Sequence, residues 1–401
     1  MSSETFRFHL LGLSHLPTSK LYGGPCAFTA KNVKLAKMLM SLGHEVFLYG
    51  AKSSEGAEPD CSAFIETHTI DDIRQDYGSG DNRFEIGYDW RAEMFRHDIN
   101  AQPKPSTWKF RANAIKEIEA RKRPDDFLLI TQGMYQKPIG DMVGLFLTCE
   151  PGIGYRGSYC RFRAFESSYI QNFTYGSEHP RQSIDGSYWD RVIPNYFEHG
   201  DLHFSAEKDD YYLYIGRMIS RKGVQTAVKV CNEIGAKLLL AGQGGRVTPD
   251  GRLHAEDFTL NPGTWEYLGS VDFEARKPLF ARALATFVPT LYLEPFAGTH
   301  IESIISGTPV ITTDFGVFPA TVIHGVNGFR CHMLQDFIDA AHAVKSLDPH
   351  AVKATGDRYL CNNVRYEYHK WFTELHRLWE STQDETKPAW HYLRKAKHGS
   401  A

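Results

Sequence analysis

The sequence predicts an α/β protein built from two doubly wound, Rossmann-like domains in tandem, with their sheets facing each other across a cleft. Three observations carry this expectation. Short apolar runs alternate with amphipathic helical stretches, the pattern of strands laid parallel with helices between them. The strand, loop, helix, strand succession that opens the chain restarts near its middle. Finally, 401 residues at 42% hydrophobic content are enough for two separate cores.

The run "FRFHLLGL" (Phe6 to Leu13) reads as a buried strand. After the loop "SHLPTSKLYGG" a helical pattern places Phe28, Leu35, Leu39 and Leu42 at helical spacing, and Gly43 occupies the position that ends a helix. "HEVFLYG" is the second strand, and "DFLLI" (Asp126 to Ile130) and "VGLFLTC" (Val143 to Cys149) are further ones. Ser53 to Pro105 is polar and aperiodic and reads as a long insertion. Arg191 to Asp210, polar and proline-containing, reads as the linker.

The pattern then begins again with the strand "YYLYIG" (Tyr211 to Gly216). A helix follows over Gly223 to Gly235, with Val224, Ala227, Val228, Cys231 and Ile234 on one face, and then the strand "AKLLLAG". "TWEYLG", "ATFVPT" and "PVITTD" supply more strands. The expected division is an N-terminal domain over about residues 1–195 and a C-terminal domain over about 196–379. A helix over about 380–401 is expected to pack back on the first domain.

A net charge of −3 gives no global case for nucleic acid or an anionic membrane. The seven cysteines are scattered and never spaced as CxxC, so neither a disulfide framework nor a structural zinc site is indicated. Met1 to Gly12 lacks the basic start and apolar run of a secretion signal, and no stretch reaches about 18 uninterrupted apolar residues. A cytoplasmic protein without a transmembrane segment is the expectation.

The chemistry concentrates in "LEPFAGTHIESIISGTPV" (Leu293 to Val310). Strand "ATFVPT" leads into this loop, and Thr299 is expected to start a short helix that Gly307 and Pro309 end. Unpaired N–H groups around Phe296 to His300 would then face whatever lies before the helix, and phosphate is their natural occupant. Glu294 lies ahead of the helix and Glu302 in its first turn. Carboxylates repel phosphate, so these two suit hydroxyl groups at either end of a ligand laid out as ribose, phosphates and sugar. "THIE" also reads as a capping box, with Thr299 as N-cap, and that alone accounts for Glu302.

"EPFAGTHIESIISGTPVITTDFGVFPATVIHGVNGF" (Glu294 to Phe329) resembles the donor-site signature of retaining GT-B glycosyltransferases of family 4, two glutamates separated by seven residues and then a Gly-Thr-Pro-Val strand. "YIGRMISRKG" resembles the family's Gly-Arg and Lys-Gly segment, "VIPNYF" its interdomain Ile-Pro-Asn, "LLLAGQG" its Ala-Gly-x-Gly strand end, and "YGG" with "LGHEV" its N-terminal phosphate loop and second strand. The likeness covers most of the chain and weakens across residues 51–125.

The resemblance implies that Glu294 meets donor-sugar hydroxyls and Glu302 the ribose. It implies that Gly216 and the amides of Phe296, Ala297, Gly298 and Thr299 line the donor site, and that Arg217 and Lys222 neutralise the diphosphate. Gly23 and Gly24 would let backbone approach a phosphate from the other domain. Where the family reads Phe-Gly-Leu-Thr, this chain has Phe-Ala-Gly-Thr. Many members carry His where this strand ends in Glu150, so a carboxylate that assists the acceptor's proton is expected there; a solvated acid is the alternative. Tyr155, Arg156 and Arg161 are candidates for the acceptor side, either as a sugar or anion surface or as a buried aromatic edge with solvated arginines.

No Asp-x-Asp occurs, so no metal and no further cofactor are expected beside the nucleotide diphosphate sugar co-substrate. The implied activity is front-face transfer of a hexose-like sugar to an acceptor hydroxyl, with the donor phosphate helping to take the acceptor proton. The acceptor is open: a glycan, a small molecule or, less favoured, nucleic acid. A sugar phosphorylase or nucleotide-sugar epimerase, a DNA-base glycosyltransferase and a catalytically silent nucleotide-sugar binder are the competing readings.

Overall fold

The computed structural model describes residues 4–19, 26–52, 59–77, 102–178 and 187–383. Two parallel sheets dominate it. The first has seven strands, in the spatial order Ala63–Glu66, Glu45–Gly50, Arg7–Leu11, Phe127–Leu129, Leu147–Ile153, Phe162–Phe165 and Arg191–Val192. The second has six, in the order Trp265–Tyr267, Leu238–Ala241, Tyr212–Ile215, Thr286–Val288, Val310–Thr313 and Gly328–Cys331. In each sheet the chain winds outward to one edge, returns and continues to the other. That order opens a crevice beyond the strand C-termini where the winding reverses.

Helices cover both faces of these sheets, which is why the strands are apolar runs without alternation. Phe8, Leu10 and Leu11 are all fully buried, as are Leu238, Leu240 and Ala241. The first helix, Ala27–Ser41, buries Leu35, Ala36, Met38 and Leu39. It stops at Gly43, whose φ of 82° is in the left-handed region that glycine adopts without strain. In Val224–Glu233 the expected Val224, Ala227, Val228 and Cys231 are buried, Val230 joins them, and Ile234 just beyond the helix is half-buried.

Three sequence expectations are corrected. Residues 53–105 are not wholly an insertion, because Ala63–Glu66 forms the edge strand beside Glu45–Gly50 and Ile70–Tyr77 forms a helix. The linker starts late, since Arg191–Val192 pairs with Phe162–Phe165. The return to the first domain comes well before residue 380. Helix Cys361–Gln383 inserts Val364, Tyr368, Trp371, Phe372 and Leu375 into the first core, and Phe372 packs on Phe8 with ring centres 4.7 Å apart. Although the helix is polar on balance, its buried face carries Tyr368, Trp371 and Phe372. Residues 384–401 lie outside the described residues.

The chain therefore crosses between domains twice, and the crossings run side by side. The Phe197 amide donates to the Tyr359 carbonyl at 3.0 Å and the Cys361 amide to the Phe197 carbonyl at 2.8 Å. Among the described residues no helix is long and apolar enough to cross a membrane.

Candidate active site

A cleft of about 280 Å³ opens between the C-terminal ends of the two sheets. Its second-domain wall is the loop after Thr286–Val288, from Thr290 through Glu294 to Thr299, together with Tyr214, Gly216 and Lys222. Its first-domain wall is Phe28 and Lys31 of the first helix, Gly154 and Tyr155 after Leu147–Ile153, and Glu166 after Phe162–Phe165.

Glu294 is 6% exposed and accepts a hydrogen bond from Lys222 Nζ at 2.7 Å. Packing explains how a loop holds a carboxylate so firmly. Gly316 lies against the loop so closely that a Cβ there would come within 2.9 Å of the Glu294 nitrogen, and its φ is +64°. Lys222 closes a short turn, Ser220–Lys222, whose next residue Gly223 abuts the Pro289 carbonyl; a Cβ at that position would meet the oxygen at 1.9 Å. The Tyr292 ring lies 5.0 Å from Lys222 Nζ and 4.9 Å from the Arg221 guanidinium, so it holds both cations at the loop by cation–π attraction.

The helix after this loop runs Gly298–Ile305, and its N-cap is Ala297, not Thr299. Ala297 has φ 59° and ψ 65°, the one non-glycine with positive φ among the described residues. His300 supports it. Its Nδ1 lies 2.5 Å from the Ala297 carbonyl oxygen, its Nε2 bonds the Thr321 hydroxyl at 2.8 Å, and burial pushes its pKa down to about 4, so the ring is neutral. No side chain caps the helix, and its first N–H groups are left to face the cleft.

The capping-box expectation for Glu302 is thereby corrected. With the helix beginning at Gly298, Glu302 lies beyond its first turn, and its buried carboxylate pairs with Arg276 at 2.7 Å instead of lining the cleft. Arg217 is exposed at the end of its strand, off the cleft wall.

Glu150 is fully buried and faces neither cleft nor solvent, against both expectations for it. It accepts from the Tyr155 hydroxyl at 2.8 Å and from the amides of Tyr159 and Cys160 at 3.0 and 3.3 Å. Burial raises its pKa, opposed by these donors. Its work is to fold the loop that presents Tyr155.

Of the acceptor-side candidates, Tyr155 lines the cleft. Arg156 is exposed and stacks 5.0 Å from the Phe173 ring. Arg161 sits over Phe146, which precedes the strand Leu147–Ile153, so it belongs to the end of the sheet away from the cleft. Gly23 and Gly24 lie outside the described residues. Among the described residues, no group of three or more His, Cys, Asp or Glu could hold a metal ion.

Lys31, Glu166 and Asn195 line the cleft without having been singled out from the sequence. Lys31 Nζ pairs with Glu166 Oε1 at 2.6 Å and donates to the Gly152 carbonyl at 3.1 Å. Asn195 accepts from Lys34 at 3.0 Å, and burial lowers the Lys34 pKa to about 8. Asn195 stood in the interdomain Ile-Pro-Asn and was open to notice. Lys31 had no local signal, since its partners come from distant strands. Both walls thus carry a lysine paired with a glutamate, an arrangement suited to a polyhydroxylated anion.

Comparison with known proteins agrees with this geometry. Residues 199–347 match the family model described as Glycosyl transferases group 1, which covers most of the second domain. Over 123 residues the chain is 31% identical to an uncharacterized glycosyltransferase of Methanocaldococcus jannaschii, a match spanning 29% of this chain and 30% of that protein. Among solved structures, sucrose-phosphate synthase of Thermosynechococcus elongatus superposes with a TM-score of 0.59 at 17% identity, over 92% of this chain and 99% of the other. HepE of Anabaena, solved with UDP and glucose, gives 0.58 at 12% identity over 92% and 100%. The fold is GT-B, two Rossmann-like domains facing across a cleft.

Proposed function

We propose that the chain is a retaining glycosyltransferase that moves a hexose-like sugar from a nucleotide diphosphate sugar to an acceptor hydroxyl. One observation carries the reading: Glu294, paired with Lys222 at 2.7 Å beside an uncapped helix N-terminus, in a cleft between two sheets. The carboxylate suits sugar hydroxyls, and the lysine and helix amides suit a diphosphate whose charge grows as the sugar departs. The group 1 match over residues 199–347 and the UDP and glucose held by the Anabaena protein support that assignment.

In the proposed reaction the bond from the anomeric carbon to the diphosphate breaks, and the acceptor oxygen bonds that carbon from the same face. The acceptor proton passes to the departing phosphate oxygen. Lys222 stabilises the leaving group, and Arg217, exposed beside Gly216, is the second cation for the diphosphate. Glu302 meets the ribose only once its pair with Arg276 opens, so Glu302→Gln should raise the donor KM and, by removing a buried ion pair, lower the melting point as well.

The test is a thermal-shift screen of nucleotide sugars followed by product analysis. A donor that binds only the folded chain raises its melting point, and the sugar should appear on an acceptor with its anomeric configuration kept. Activity should survive EDTA, in line with a metal-free mechanism. Free sugar phosphate, an epimerised nucleotide sugar or an inverted product would overturn the proposal.

A further inference from the structure

The donor loop is held from two sides, and one of the holds comes from the other domain. On its own side, His300 anchors the carbonyl of the strained Ala297. From the first domain, the Ser167 hydroxyl donates to the Pro295 carbonyl at 2.6 Å. Ser167 is 6% exposed, so water competes poorly for that carbonyl. Pro295 separates Glu294 from Phe296, and a force on its peptide moves both the carboxylate and the amides that begin the helix.

Ser167 is itself rigidly placed. It precedes helix Ser168–Glu178 and caps it, its Oγ accepting from the Ile170 amide at 3.3 Å. Its neighbour Glu166 pairs with Lys31 on the cleft wall and packs on Gly154, where a Cβ would come within 2.1 Å of Glu166 Oε2. Two residues further on, the Tyr169 ring meets Phe315 of the second domain edge-on, with centres 6.4 Å apart. Among the described residues, the first-domain wall therefore meets the donor loop through a short, directional hydrogen bond, with an aromatic contact to Phe315 beside it.

We propose that Ser167 is a positioning residue: a latch that sets the Glu294–Thr299 loop in its working shape only when the two domains are closed. The proposal rests on the donor-site reading above. Its logic is that a loop paying backbone strain at Ala297 needs more than its own domain to hold it. Supplying the second hold from the acceptor domain ties assembly of the donor site to closure. Nucleotide binding, a property of the second domain, then depends little on Ser167, whereas turnover depends on it strongly.

Three variants separate the latch from the helix cap. Ser167→Ala removes both. Ser167→Asp keeps the cap, because aspartate caps well, but its ionised carboxylate cannot donate to the Pro295 carbonyl. Ser167→Thr keeps both. Ser167→Ala and Ser167→Asp should lower kcat by about tenfold or more, with less than about a twofold change in nucleotide Kd by calorimetry, UDP being tried first. Ser167→Thr should restore most of the rate.

Hydrogen exchange supplies a readout independent of activity. The His300 amide, which donates to the Ala297 carbonyl at 3.1 Å, and the hydrogen-bonded amides of helix Gly298–Ile305 after it should exchange about tenfold faster in the Ala and Asp variants than in the wild type and the Thr variant. Wild-type turnover and exchange in Ser167→Asp would overturn the latch, as would a rate loss in Ser167→Ala that Ser167→Asp repairs, which assigns the effect to the cap. A wild type that turns over no sugar nucleotide would defeat the functional reading instead, and exchange at His300 and the helix amides after it would then decide the latch alone.

Discussion

Changing Lys222 to Met and Glu294 to Gln, singly and together, measures how much of the donor loop depends on one ion pair. The two groups are 2.7 Å apart, and their side chains are 21% and 9% exposed. An exposed pair would couple by roughly 0–1 kcal/mol, but a hydrogen bond to a charged group shielded from water is worth roughly 1.5–3 kcal/mol. Discounted for the partly exposed lysine, the expected coupling is about 1.5–2 kcal/mol. The singles should differ. Lys222→Met strands a nearly buried carboxylate and should cost about 2–3 kcal/mol, whereas Glu294→Gln leaves a lysine that can rehydrate and should cost about 1 kcal/mol. The double variant should therefore recover part of the Lys222→Met loss. Calorimetric melting of all four proteins is the assay, reading the second-domain transition if the domains melt separately. Coupling below about 0.5 kcal/mol, within ordinary additivity, would refute the view that this pair holds the loop. In turnover each single should lose roughly 10²–10³-fold, and Arg217→Ala should lose less, because Arg217 stands outside the cleft wall.

Ala297→Gly should stabilise the protein: the left-handed region costs alanine roughly 1–2 kcal/mol, and glycine gives back about 0.4–1 of that in unfolded-chain entropy. A lower melting temperature in this variant would show that Ala297 is not strained. Burial pushes His44, His68 and His300 down to about pKa 4, so between pH 6.5 and 4 the unfolded chain binds protons that the folded chain refuses. Their stability contribution is complete above pH 6.5 and falls on acidification by up to about 1.4 kcal/mol per pH unit for each histidine; a melting temperature flat from pH 7 to 5 would contradict this. Glu150→Gln turns an amide NH₂ toward a carboxylate site filled by donors, so it should destabilise by roughly 1–3 kcal/mol and leave the pH profile of turnover unmoved. A shifted profile with normal melting would return Glu150 to the chemistry.

The second half of the donor site was legible because it is local. Glu294 to Thr299 occupy one loop between a strand and a helix, and a stretch of contiguous residues carries its chemistry wherever the loop is placed. Gly316 and Gly223 show why neighbouring glycines accompany it: each lies where a Cβ would strike the backbone of the loop or of the strand before it. The repeated strand and helix periodicities were equally local, and they determined two parallel sheets with helices on both faces.

What only the tertiary structure decided is which charged groups reach the cleft. Glu294, Glu302 and Glu150 look alike in sequence, yet packing sends the first to Lys222, the second to Arg276 and the third inward to Tyr155. The helix start at Ala297 instead of Thr299 is enough to carry Glu302 past the capping turn, and no composition rule anticipates a strained alanine there. Lys31, Glu166 and Ser167 acquire their roles from partners far away in sequence, and helix Cys361–Gln383 acquires its place from aromatic contacts with Phe8 and Phe127. The physical reason is common to all of them. Local propensity is settled within a turn or a strand, but the direction of a buried charge is settled by whichever distant donor removes the penalty of leaving it unpaired.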